Sequence, residues 1–501
     1  MDISKLLATV VVAGLLATGC GSGGPSDANA AGDDGADRVP LIVDYSPTLS
    51  DVPALMYLAT HPGSDLVAVT LAGTGESECG PGVRNTVALL RITGHADVPV
   101  ACGPEEPLIG SHHWPAEFVE ASRTVPGVVL PGIAGEVPVG DAVATLVSAL
   151  EAAEDPVVIV ALGPLTNLGI LVAERPDLLA AIDRIVIMGG AIDVAGNVPD
   201  SPTVEWNFYI DPEADQRVLG SGVKIVVIPL DATVDVPGSR AIQARLDRAS
   251  ALEPGGEAVR QLHDAAIDVI SSEGWFFWDE LAAVAATDPE VVTLRSMALL
   301  VDADGATVND PAGPTVLVAT AADPALFADR FADVLSGGTA PTVSPLDDAE
   351  RAYLSRLDEL GATLSAATDA AFTMLFSFEG SQTVVSLGDT PVVAVEDVFD
   401  AFADFAAGLA TIDPPQLFRT QHENIRQSLG TFAALREGLV DGVRELLDSA
   451  RAMTADEFLT GLEQLVAART VDDPLASVAA ACAEVELEAE LRGVQVTTGC
   501  A

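Results

Sequence analysis

The chain has 501 residues, 49% of them hydrophobic, enough for two or three domains with sizeable cores and too apolar for a disordered chain. It carries 74 Asp plus Glu against 24 Lys plus Arg, a formal net charge of -50. So negative a surface repels nucleic acid and anionic headgroups, which argues against polyanionic partners.

In chain order, Met1 to Lys5 is a short charged opening and Leu6 to Thr18 an apolar run too short to span a bilayer as a mature helix. The following Leu16-Ala17-Thr18-Gly19-Cys20 resembles a bacterial lipoprotein signal, with Cys20 the lipidated first residue; an ordinary cleaved signal peptide is the alternative. Residues 1–19 are thus read as signal peptide, and 20–38, rich in Gly, Ser, Ala and Asp, as a flexible tether. The expected location is extracytoplasmic, with membrane contact through the lipid. Four further cysteines fit export, and local pairing would join Cys79 to Cys102 and Cys482 to Cys500, although four cysteines allow three connectivities.

From residue 39 to 337, short β-branched runs alternate with helical stretches. Leu41-Ile42-Val43, Leu66 to Thr70, Val157 to Leu162, Ile185 to Ile187 and Lys224 to Ile228 read as buried parallel strands; Val83 to Thr93 and Ala142 to Glu151 read as helices. The pattern predicts an α/β fold, a mostly parallel sheet flanked by helices, with ligands beyond the carboxyl ends of the strands. Residues 338–347 read as a linker. Residues 348–501 read as a mainly helical domain, with Leu354, Leu357, Leu360 and Leu364 at helical spacing, a capping box at Thr454 to Glu457, and a β-rich interruption from Thr383-Val384-Val385 to Val392-Val393-Ala394.

The polar residues that follow the strands are candidates for chemistry. Asp44 and Asp51 flank the segment after the first strand and offer hard oxygen ligands, but a helix start is an equal reading of Asp51. Ala161-Leu162-Gly163-Pro164 turns the chain and exposes carbonyls. Glu205 and Asn207, two apart, would point to one side of an extended segment and present an acceptor and an amide to a polyol. Phe276-Phe277-Trp278-Asp279 sets aromatics and a carboxylate at another helix start, where capping is again the alternative for Asp279.

Taken in order, I-V-D-x-x-P, A-L-G-P-L-T-N, I-M-G-G, G-N, E-W-N-F-Y-I-D-P-E-A and W-D-E-L-A resemble the inosine-uridine preferring nucleoside hydrolase family over residues 39 to 337. The resemblance implies cleavage of the N-glycosidic bond of a ribonucleoside through an oxocarbenium-like transition state, assisted by one calcium ion. It implies Asp51, Asp279 and the Leu162 carbonyl as metal ligands, Asn197, Glu205 and Asn207 as ribose contacts, Trp278 beside the leaving base, and Asp44 as the first aspartate of a D-x-D-x-x-x-D-D loop. The sequence departs from that loop: Ser46 stands at the carboxylate that binds calcium and acts as base, and Ser50 at one that holds ribose hydroxyls. Asp44 would then have to serve as the base. Thr74 replaces an asparagine and Trp278 a histidine; His112 or His113 offers a substitute proton, or is simply an exposed loop residue. Two readings follow, an exported, lipid-anchored glycosidase of weakened or altered activity and a catalytically degenerate nucleoside- or polyol-binding protein or scaffold.

Overall fold

A computed structural model describes residues 38–133, 135–199, 201–272, 274–341, 344, 346–376, 390–449, 460–461, 464–465, 474–494, 496 and 498. The signal, Cys20, the capping box at 454–457, Thr383 to Val385 and Cys500 lie outside the described residues. The chain divides into two compact units, one within Asp33–Val343 and one within Ser344–Ala501.

The first unit is built on ten strands: β1 (Val39–Tyr45), β2 (Ser64–Leu71), β3 (Val100–Cys102), β4 (Gly140–Asp141), β5 (Val157–Ala161), β6 (Ile182–Met188), β7 (Ile225–Ile228), β8 (Val292–Val301), β9 (Thr307–Asn309) and β10 (Thr315–Ala322). Their order is β4-β3-β2-β1-β5-β6-β7-β10-β8-β9. The sheet is parallel from β4 to β10, while β8 and β9 add an antiparallel edge. Every strand predicted between residues 39 and 337 is present. The β-branched runs suit burial on both faces, and β5 (VVIVA) is buried throughout. Alternate residues feed two cores. Leu41, Val43, Val158 and Val160 pack under the helices Asp51–Thr60, Pro254–Ile270, Trp278–Thr287 and Pro324–Leu335, whereas Ile42, Ile159 and Ala161 face Ala142–Ala152, Thr166–Glu174 and Pro212–Leu219.

The chain runs outward from β1 through β2, β3 and β4, then returns to β5 on the other side of β1. This reversal opens a crevice at the carboxyl ends of β1 and β5, where Asp44 and Leu162 lie. A disulfide joins Cys79 to Cys102 and ties the helix Cys79–Ile92 to β3, as local pairing predicts.

The second unit contains the helices Asp348–Phe376, Thr390–Leu409, Arg419–Ala433, Arg436–Ser449 and Pro474–Glu490. Leu354, Leu357 and Leu364 are buried with Phe405, Phe418, Ile425 and Val485, and Tyr353 stacks on Phe418 with ring centroids 5.2 Å apart. The expected β segment at Val392 to Ala394 is instead the first turn of Thr390–Leu409. Pro391 suits a helix start, and the burial of Val392, Phe399 and Phe405 on a helical face outweighs the local β propensity of valine. Cys482 is disulfide-bonded. No helix among the described residues is long and apolar enough to cross a membrane.

Candidate active site

The helices Asp51–Thr60 and Trp278–Thr287 lie side by side under the sheet, and both begin at its carboxyl edge. Their first turns therefore bring together residues more than two hundred positions apart. Ser50 donates its hydroxyl to Asp279 Oδ2 at 2.5 Å, and Asp51, the next residue, lies close enough that the Asp279 charge shifts its proton affinity. Neither carboxylate caps its helix. Asp51 turns back into its own loop, where Oδ1 accepts from the Ser46 amide at 3.3 Å and Oδ2 from the Thr48 hydroxyl at 2.6 Å. Asp279 Oδ1 is buried without a hydrogen-bond partner. The capping reading thus fails for both residues, and the positive ends of two helix dipoles face the pair.

Burial dominates the electrostatics. It lifts Asp51 well above the ordinary carboxylate range, reinforced by the Asp279 charge, and pushes Asp279 up to about 7 although the Ser50 hydroxyl pulls it back. Burial also pushes Asp44, at the end of β1, up to about 6 against hydrogen bonds from Thr70 and Asn167. These donors hold Oδ1 at 2.6 and 2.7 Å and leave Oδ2 unpartnered. Asn167 also donates to the Leu71 carbonyl, so Asp44 is clamped between β2 and the first turn of the helix Thr166–Glu174.

Glu205 and Asn207 do not sit in an extended segment, as expected from their spacing. Glu205 is the N-cap of a helical turn, Trp206–Ile210, and its carboxylate accepts from the amides of Asn207, Phe208 and Gly190 at 2.9 to 3.2 Å. Capping overrides the alternation because three backbone donors converge on one carboxylate. Asn207 Nδ2 donates to the carbonyls of Leu162, at 3.1 Å, and Met188, at 3.2 Å. The Leu162 carbonyl, Asn207 and Glu205 thus form one connected wall of the crevice. Asn197 is exposed and accepts from the Trp206 amide at 3.0 Å. Trp278 is partly exposed and packs edge-on against Trp275 at 5.0 Å.

His112 stacks on Tyr209 at 4.0 Å and its Nδ1 donates to the Tyr209 carbonyl at 2.6 Å, which leaves Nε2 as the lone-pair side of the neutral ring. His113 is exposed. Trp114 stacks on Trp206 at 4.7 Å and joins His112 in an aromatic cluster over this wall.

Ser46 and Ser50 are both buried in the loop between β1 and the helix Asp51–Thr60, and neither brings a charge to it. A hard divalent cation prefers six to eight oxygens, several of them anionic. Asp51, Asp279 and the Leu162 carbonyl suit such an ion, and the unpartnered Asp279 Oδ1 is an oxygen it would satisfy. Among the described residues, however, no three His, Cys, Asp or Glu side chains already converge as a metal cage.

Residues 41–329 match the inosine-uridine preferring nucleoside hydrolase family. The chain belongs to that family. A pyrimidine-specific ribonucleoside hydrolase of Photobacterium profundum is 37% identical over 39% of this chain and 61% of its own length. One from an Enterobacter strain is 32% identical over 48% of this chain and 74% of its own. A plant nucleoside hydrolase structure superposes with a TM-score of 0.52 at 27% identity, covering 60% of this chain and 99% of the plant chain. Nucleoside hydrolase architecture therefore accounts for the α/β unit and leaves the helical unit outside the match. Glu76, in the turn after β2, is the residue near the site that the motif comparison passes over. Its signal in sequence is only an acid in a Gly-rich turn.

Proposed function

We propose that the α/β unit hydrolyses the N-glycosidic bond of ribonucleosides, with weakened or altered activity relative to enzymes that retain the full aspartate loop. The observation that carries this reading is the buried Asp51 and Asp279 pair, gathered at the sheet's carboxyl edge and linked by Ser50. Calcium, held by Asp51, Asp279 and the Leu162 carbonyl, would orient the ribose hydroxyls and acidify a water. The chain itself supplies the rest. Asn197 and Asn207 offer amides to the ribose, Glu205 fixes the wall that carries Asn207, and Trp278 offers an aromatic face beside the base. The water oxygen bonds to the anomeric carbon as the C–N bond breaks and its pair leaves with the base. Asp44 is the proposed acceptor for the proton of that water, through the unpartnered Oδ2.

A second reading is favoured by one observation: Ser46 and Ser50, both buried, leave the loop without its inner carboxylates. A hydroxyl is no base at neutral pH, so the unit would then bind a nucleoside or polyol without turning it over. Export and a lipid anchor at Cys20 fit either reading. They are supported by the Leu16 to Cys20 sequence and by a disulfide that suits an oxidising compartment.

The discriminating experiment incubates the purified protein with a panel of nucleosides, with calcium or with chelator, and measures free base. Calcium-dependent release is expected. Intact nucleosides, together with a melting temperature raised by the same compounds, would establish the binding reading instead.

A further inference from the structure

The segment that follows β3, residues 103–114, has no regular secondary structure, yet it carries His112 and Trp114 onto Tyr209 and Trp206 in the wall of the crevice. In the sheet, β2, β1 and β5 lie between β3 and β6, the strand that precedes this wall. The segment therefore runs past the carboxyl ends of three strands before it reaches the aromatic cluster. Without ladder or helical hydrogen bonds of its own, such a stretch keeps one position only where the rest of the fold holds it.

Three anchors hold it. At its start, Cys102 is bonded to Cys79, and Gly103 packs so closely on Asn167 that a Cβ there would collide with Asn167 Oδ1. At its end, His112 donates to the Tyr209 carbonyl. The middle anchor is Asp211. Its Oδ2 accepts from the Leu108 amide at 2.9 Å and from the Thr166 hydroxyl at 2.7 Å, and its Oδ1 accepts from the Ala214 amide at 3.2 Å as the N-cap of the helix Pro212–Leu219. Because the Thr166 proton goes to Asp211, Thr74 is the donor in its 2.9 Å bond to Thr166, which ties in the turn after β2 as well. The Leu108 side chain packs beside its amide. A Cβ at Gly169 would fall 3.2 Å from Leu108 Cδ1 and 2.8 Å from Ala214 Cβ, so a larger residue there would push against Leu108.

A helix cap needs a single acceptor, and serine or threonine supplies one as well as aspartate does. Asp211 has a second oxygen, fully buried, and turns it onto donors from two other segments. Asp215, one turn later on the same helix, is as deeply buried but has neither oxygen bonded. An acid buried on this helix is thus not enough to hold the segment; the bond to the Leu108 amide is what distinguishes Asp211.

We propose that Asp211 is a positioning residue of the site: by holding the Leu108 amide it docks residues 103–114 along the crevice, places His112 and Trp114 on the Trp206–Tyr209 wall, and so sets the affinity for the nucleoside. The inference rests on the reading of the crevice as a nucleoside site. Asp211 itself touches scaffold only, and its effect on the ligand passes through the segment it anchors.

The test uses the full chain and two measurements, chymotryptic cleavage of the Leu108–Ile109 bond followed by mass spectrometry, and base release from inosine and uridine in calcium. Asp211→Ser keeps a cap for the helix but is too short to reach Leu108. It is expected to speed the cleavage by about 10-fold to 100-fold, the worth of one hydrogen bond to a charged acceptor, and to raise KM by about 10-fold, the lower end of that range, with kcat little changed. Asp211→Asn, a milder change that keeps the cap and a neutral acceptor, should fall between, and Asp215→Asn should match the parent in both measurements. An aspartate that only stabilised the fold would open the whole α/β unit to the protease without separating KM from kcat. Cleavage of Asp211→Ser at the parent rate, an unchanged KM in a chain whose segment is released, or equal loosening by Asp215→Asn overturns the proposal. If the parent releases no base from either nucleoside, the reading of the crevice falls, and the cleavage rates alone decide whether Asp211 docks the segment.

Discussion

The two units of the chain treat their acidic residues in opposite ways. The α/β unit buries Asp44, Asp51, Glu205, Asp211, Asp215, Asp279 and Glu280, whereas the described residues of the helical unit bury no carboxylate and only His422 and Thr498 among polar groups. Both units are rich in acid, so composition does not separate them. Burying a carboxylate costs stability unless it is paired or hydrogen-bonded, and a fold accumulates such costs where a ligand offsets them. Asp44, Asp51, Glu205 and Asp279 all cluster at the carboxyl edge of one sheet. The helical unit instead packs Leu354, Leu357, Phe405 and Phe418 into an ordinary apolar core.

The strongest way to sharpen this contrast is to return the lost charge. Ser46→Asp with Ser50→Asp is expected to raise calcium-dependent base release by about 100-fold to 10,000-fold, the usual worth of a general base. An unchanged rate in a steady-state assay would count against the placement of the aspartate loop. A smaller effect is expected from the apolar side of the comparison. Leu357→Ala removes a fully buried side chain and should destabilise the helical unit by about 2 to 5 kcal/mol, measured by urea unfolding, while leaving the calcium titration of the α/β unit in place.

The smallest effect is on pH dependence. Asp51 and Asp279 hold their protons in the folded state at pH values where the unfolded chain has lost them. The native state therefore binds more protons between about pH 4, the ordinary aspartate value, and about pH 7. Its stability is greatest below that window and falls as pH rises through it. In chelator, the melting transition of the α/β unit should move down across this range and that of the helical unit should not. Calcium should flatten the slope. A slope shared equally by both transitions would break the comparison.

Much of the α/β unit was legible in sequence. Long β-branched runs such as Val157 to Leu162 are buried on both faces, and such burial leaves an unmistakable apolar signature. β3 and β4 are too short to leave one, and β8, most of whose residues are exposed or partly buried, reads less plainly than a buried parallel strand. At the site, Asp51 and Asp279 stand out in sequence because they begin helices after strands, yet capping explains them equally well. Only the absence of a cap bond and the bridge through Ser50 separated the two readings. The spacing of Glu205 and Asn207 suggests an extended segment because spacing alone does not reveal that three amides converge on the Glu205 carboxylate.

The sequence by itself determined the family, the α/β order and the loss of the two inner acids at Ser46 and Ser50, because these are properties of residue types at fixed spacing. Tertiary structure decided which of the many remaining acids face one another. Sheet topology sets two helix starts side by side and lets Gly75 approach Ser46, and through-space distance, not sequence order, governs the interaction of charges.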